Sequence, residues 1–194
     1  ITNKSVDAIF DNPDSLACIV NIRHKDEYLL EHSISVSIYL SMFANYLNID
    51  KAIAQEMALG AFLHDVGKIM VPDNILNKPG KLTDSEFYIM KTHANHTVDI
   101  FEKTKGFSRL SYEVAAYHHE KLDGTGYPFK IKGDKLSKYC RMISICDIFD
   151  ALTANRCYKE GFPRFKAFSI LRSLTKDNLH LDSELVEHFI NAIG

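Results

Sequence analysis

The chain has 194 residues, 46% of them hydrophobic and 25% charged, which suits one domain with a substantial core and excludes a fibre, a low-complexity tail or a second large domain. Its 23 basic and 25 acidic residues leave a net charge of −2, so there is no general electrostatic pull on a DNA or RNA polymer, although local cations can still hold a small phosphate ligand. Cys18, Cys140, Cys146 and Cys157 form no CxxC pair, no run approaches the roughly 18 apolar residues of a membrane span, and no signal peptide is recognisable; free thiols and a cytoplasmic location are expected.

Between Asp26 and Asn48 there is neither Gly nor Pro, and Leu29, His32, Val36, Leu40, Phe43 and Leu47 recur at spacings of three and four. That periodicity predicts one long helix with His32 on its buried stripe. A second helix is expected to start after Asp50, a good cap, and to run through Ala54, Met57, Ala61 and His64 to about Gly67. Pro72 to Leu82 reads as a connector with one short helical turn. Thr83 and Glu86 form a capping-box pattern opening a helix to about Lys103, with His93 and His96 inside it.

A further helix is predicted from about Ser108 to Glu120, ending in Tyr117-His118-His119-Glu120. The polar loop Lys121 to Lys135 follows, and its Asp123-Gly124-Thr125-Gly126-Tyr127-Pro128 cannot continue a helix. Met142, Ile145, Phe149 and Leu152 restore helical spacing between Ser137 and Ala154, with Asp147 and Asp150 beside them. Two terminal helices, about Pro163–Leu174 and Asp182–Ile193, complete an all-α chain without strands or internal repeats. Residues 1–25 are expected to be a helical lead-in, linking to an upstream domain outside this chain, and 26–194 the functional domain.

Several separate helices each bring a histidine or aspartate to a mainly apolar face: His32, His64-Asp65, His93, His118-His119 and Asp147. One buried histidine means little, but burying this many without partners would cost about 2 kcal/mol or more each. A shared pair of divalent ions removes that cost. Nitrogen and carboxylate ligands without thiolate suit iron, manganese, zinc or similar ions. Asp65, directly after a histidine, is the candidate bridge between two ions, and an ion pair of this kind can activate water and clamp a phosphoryl group. Successive helical side chains diverge by about 100°, so His118 and His119 can share a site only where their helix ends; otherwise one of them is a ligand and the other supports it.

His64-Asp65-Val66-Gly67-Lys68, followed by His118-His119-Glu120-Lys121-Leu122-Asp123-Gly124-Thr125-Gly126-Tyr127-Pro128, closely resembles the two signatures of the HD-GYP family of cyclic di-GMP phosphodiesterases, a branch of the HD phosphohydrolases. The likeness spans about Asp26 through Lys159. It implies an all-α HD-domain helical bundle with a glycine-rich GYP loop and additional C-terminal helices, and hydrolysis of cyclic di-GMP to linear pGpG, in some members onward to GMP. Carried over position by position, it implies His32, His64, Asp65, His93, His118, His119 and Asp147 as ligands of two divalent ions, iron or manganese by resemblance. Asp65 and Lys68 become the catalytic pair, Lys68 meeting the scissile phosphate.

The same resemblance places Gly126 and Tyr127 on the substrate side and makes Arg156 and Lys159 a guanine-contacting pair. Three-metal members have a glutamate and a histidine where this chain has Tyr28 and Asp73, which favours two ions here. Cys157 stands where the family commonly has proline. Asp150 is expected to orient a histidine or lysine, and Glu120 to be a supporting acid. Two rivals stand beside the hydrolase: a cyclic dinucleotide receptor or partner module for signalling proteins, and an HD enzyme acting on mixed cyclic GMP-AMP.

Overall fold

The computed structural model describes residues 27–155, 160–176 and 180–194. The expected lead-in and Cys18, together with Arg156, Cys157 and Lys159, lie outside the described residues. Among those described there are eight α-helices and no strand: α1 Glu27–Tyr46, α2 Lys51–Leu63, α3 Asp73–Leu76, α4 Asp84–Lys103, α5 Arg109–Ala116, α6 Lys138–Thr153, α7 Arg164–Ser173 and α8 Ser183–Ile193. The all-helical expectation holds. None of these helices is long and apolar enough to cross a membrane.

Local chemistry explains the helix starts. The Asp50 carboxylate accepts from the amides of Ala52 and Ile53, and Ser108, Ser137 and Asp182 cap α5, α6 and α8 in the same way, satisfying donors that the first turn leaves free. The capping box forms as read: Thr83 N donates to Glu86 Oε2 at 2.7 Å and Glu86 N to Thr83 Oγ1 at 3.3 Å.

Packing assembles α1 against α2, α6 and α8, with α5 across α2. The main core lies among them, with Leu40, Phe43, Met57, Ile145, Phe149, Leu171 and Phe189 all sealed from solvent. Phe189 sits edge-on to Phe43 and to Phe149, with ring centroids 5.4 and 5.3 Å apart, an arrangement that the quadrupoles of the rings favour. A smaller cluster of Leu29, Leu63, Val66, Phe101 and Ala115 packs at the other end. The polar site stands between these two apolar masses.

Two helices stop earlier than their patterns suggest. α2 ends at Leu63, and His64 and Asp65 occupy a turn before a 3-10 segment, Val66–Met70. α5 ends at Ala116, leaving Tyr117, His118 and His119 in a turn. Both departures fall where the signature residues lie, because the regular 100° step would have sent adjacent ligand candidates apart.

Candidate metal centre

Five separate pieces of chain converge on one buried spot. α1 carries His32, the turn after α2 carries His64 and Asp65, α4 carries His93, the turn after α5 carries His118 and His119, and α6 carries Asp147. Asp65 adopts φ −100° and ψ 9°, the sparsely populated bridge region common among active-site residues.

Its two carboxylate oxygens face opposite ways. Oδ2 lies 3.5 Å from His32 Nε2 and 3.4 Å from His64 Nε2, and Oδ1 lies 3.3 Å from His93 Nε2 and 3.8 Å from His118 Nε2. Asp147 approaches His32 Nε2 at 3.2 Å and His64 Nε2 at 3.8 Å through Oδ1, and His119 Nδ1 at 3.9 Å through Oδ2. The donors fall into two compact groups, His32-His64-Asp147 and Asp65-His93-His118-His119. All seven sequence-derived ligand candidates are therefore brought together.

The backs of the rings are anchored too. His64, His93 and His118 each direct Nδ1 at the carbonyl three residues earlier, on Ala61, Met90 and Ala115, at 2.6, 2.6 and 2.7 Å. His32 Nδ1 meets Asp150 Oδ2 at 2.6 Å, the orienting contact expected of Asp150. With Nδ1 so engaged, Nε2 is left pointing inward on all four.

These inward atoms test whether metal ions fit. Four buried side-chain polar atoms among the described residues have no hydrogen-bond partner, and three of them are His64 Nε2, Asp65 Oδ1 and His118 Nε2. An unmet buried polar atom costs about 1–3 kcal/mol, and three of them aimed at one place form a donor set suited to cations. Protonation agrees. Burial lowers His64 and pushes His93 and His118 down to about 4, keeping them neutral. Burial also works against charge on His32, but Asp147 and Asp150 outweigh it and raise that imidazole to about 9. Burial would lift the Asp65 carboxyl, yet Lys68 and the surrounding histidines hold it well below the usual range.

Lys68 Nζ lies 2.5 Å from Asp65 Oδ2. It also faces a cavity of about 810 Å³ shared with Tyr28, His32, His119 and Asp147, whose lining includes Leu76, Met90 and Leu152. Tyr28 lays its ring parallel to His32, with centroids 6.3 Å apart. Asp73 is exposed at the first turn of α3.

The glycine-rich loop packs directly against the centre. A Cβ on Gly126 would come within 2.5 Å of Glu120 Cα and 2.6 Å of His119 O, so the missing side chain lets the loop lie against its own chain. Tyr127 packs on His119 with ring centroids 4.6 Å apart. Glu120 accepts from the amides of Phe129, Lys130 and Ile131 at 2.7, 3.0 and 3.0 Å; it ties down the loop and does not support a ligand. Sequence reasoning missed Thr97, whose buried hydroxyl accepts from Gly67 N and donates to His64 O, both at 3.0 Å.

The class of protein follows: an all-helical scaffold presenting two histidine–aspartate groups to a common centre. A family profile described as HD domain matches residues 17–185, so the chain belongs to the HD domain family, whose members are metal-dependent and whose likeness here extends to the HD-GYP branch. It is 36% identical over 187 residues to the cyclic di-GMP phosphodiesterase PA4108 of Pseudomonas aeruginosa, an alignment covering 96% of this chain and 44% of that protein. To the 3'3'-cGAMP-specific phosphodiesterase 3 of Vibrio cholerae it is 41% identical over 170 residues, covering 85% and 36% respectively. The chain thus spans less than half of each relative's length. The solved structure of Bd1817, an HDG"Y"P protein from Bdellovibrio bacteriovorus, superposes with a TM-score of 0.71 at 22% identity, over 96% of this chain and 59% of that one, a likeness of fold.

Proposed function

We propose that this chain is a phosphodiesterase region that opens cyclic di-GMP to linear pGpG in the cytoplasm, using two divalent ions, iron or manganese. The observation that carries this reading is Asp65, which directs one oxygen to each donor group while three inward atoms of the cluster stay unpaired. His32, His64 and Asp147 with Asp65 Oδ2 would hold one ion, and His93, His118 and His119 with Asp65 Oδ1 the other. Bound there, the ions would supply Lewis acidity towards a phosphoryl group and water acidified to near neutrality.

The chain's own residues do the rest. Lys68 stands beside Asp65 at the cavity, where its ammonium can neutralise charge gathering on the phosphoryl oxygens. The apolar wall of Leu76, Met90 and Leu152 offers a surface for a base and keeps water away. Tyr127 and Gly126 hold His119 and the loop behind it in place. Arg156, next in sequence to the cavity-lining Asn155, and Lys159, four residues after it, are assigned to guanine, Arg156 through the fork geometry that suits O6 and N7.

Protein purified without oxygen and loaded with Fe(II) or Mn(II) should convert cyclic di-GMP to pGpG, with any further step to GMP visible by chromatography. Tight binding of cyclic di-GMP without turnover under either metal would instead establish a receptor. The 41% identity to a 3'3'-cGAMP-specific enzyme supports mixed cyclic GMP-AMP as the second reading, and assays of both nucleotides side by side separate them.

A further inference from the structure

The two donor groups differ in what stands behind their rings. Three of the inward histidines are backed by a neutral backbone carbonyl, and His32 alone is backed by a carboxylate, Asp150, which is itself only 4% exposed. The surrounding charges differ as well. The His32-His64 position has Asp150 to itself, lies nearer to Asp147, whose Oδ1 is 3.2 Å from His32 while its Oδ2 is 3.9 Å from His119, and shares Asp65, with the Lys68 ammonium on Asp65 as the opposing charge. The other position shares Asp65 and is otherwise imidazole. One of its rings, His119, has no backbone carbonyl behind it among the hydrogen bonds of the described residues, and its side chain is 26% exposed.

We propose that Asp150 is a positioning residue that makes the two metal positions unequal, so that the His32-His64-Asp147 position fills first and holds its ion more tightly. This rests on the two-ion reading above and adds to it an order of filling and the side chain that sets the order. A carboxylate behind an imidazole fixes the ring and its tautomer and increases its basicity as a ligand. More oxygen and more negative charge also suit a harder ion such as manganous, whereas three imidazoles suit a softer one. The two positions therefore differ in preference as well as in strength.

The test titrates metal-free wild type, Asp150→Ala, Asp150→Asn and His119→Ala with Mn(II) by calorimetry and with Co(II) by absorbance, with helical content followed by circular dichroism. Wild type should take up two ions in separable steps. Asp150→Ala should weaken the tighter step by about 10- to 100-fold and leave the weaker one in place. Asp150→Asn, whose amide oxygen can still accept from Nδ1, should lose less and shift the absorption band of the first cobalt equivalent at unchanged helicity. His119→Ala should weaken the second step alone.

Equal weakening of both steps by Asp150→Ala, or no change in either, overturns the proposal and leaves Asp150 a packing residue. One indistinguishable pair of sites in wild type overturns it as well. A wild type that binds no ion removes the metal centre together with this proposal. Stepwise uptake with the expected Asp150 effect but no hydrolysis of any cyclic dinucleotide upholds the proposal and counts only against the phosphodiesterase reading.

Discussion

Helices α1 and α6 each run through two regions with opposite physics. At one end of α1, Leu40 and Phe43 are sealed in an apolar core that also receives Phe149 of α6; at the other, His32 is equally sealed but touches Asp147 and Asp150 of the same partner helix. Burying a Leu or Phe side chain contributes roughly 1.5–3 kcal/mol and needs no particular partner. Burying an imidazole or carboxylate opposes folding unless something answers it. The apolar region therefore holds the helices together, and the polar region spends part of that stability to keep donors poised for a ligand.

Breaking the polar region should touch chemistry far more than fold. Asp65→Ala removes both arms of the bridge, so bound metal should fall and hydrolysis should drop by at least about 10³-fold, with helical content largely intact. Elemental analysis beside a turnover assay checks it, and unchanged turnover would refute the assignment. The mirror experiment is Phe43→Ala, which opens a cavity in the apolar region. It should lower stability by about 3–5 kcal/mol, and the protein that remains folded should still bind its full complement of ions. A loss of metal proportionate to the loss of stability would show that the two regions are not separable.

What the sequence made legible divides along the same line. Apolar periodicity gave α1, α2 and α6 and the capping box gave α4, and the seven ligand candidates were found because histidine and aspartate on an apolar face are conspicuous. Their convergence was argued from the cost of burying so many polar groups unpartnered and from the family resemblance, since spacing along a chain says nothing about which helices meet. The helix ends at Leu63 and Ala116 were overrun by pattern reading, because His64 and His118 continue the helical spacing even though the backbone has turned. The carbonyls of Ala61, Met90 and Ala115 could not be seen at all, as every residue carries a carbonyl. Thr97 looked like any polar residue on α4, and Glu120 was misread because its partners are amides nine to eleven residues on.

Acidity gives a way to sharpen the comparison in the metal-free protein. His93 and His118 sit at about 4 in the fold, against about 6.5 in an unfolded chain. Between those values the unfolded chain binds the protons, so stability should fall as pH drops from about 6.5 towards 4. His32 works the other way. Held at about 9, it contributes stability that is fully present below about 6.5 and lost as pH rises through 9. Urea melts across this range should show a maximum with a steeper acid limb, and metal should remove the alkaline limb, because His32 must shed its proton to become a ligand. A flat profile without metal would place these histidines in solvent.

The smallest effect expected lies at the seam between the regions. Thr97→Val keeps the shape of the side chain but strips the hydroxyl that joins Gly67 N to His64 O. Both backbone groups would then be buried without partners, which costs about 1–3 kcal/mol and lowers the melting temperature by a few degrees in a chain of this size. A Cβ on Gly67 would fall within 2.0 Å of His93 O, so the turn has no slack with which to find another partner. Because that turn carries both His64 and Asp65, metal affinity should weaken along with stability, unlike the Phe43→Ala case, and Thr97→Ser, which retains the hydroxyl, should restore affinity. Calorimetric melts and metal titration on the two variants read both quantities; lost stability with unaltered metal binding would show that the seam belongs to the apolar region alone.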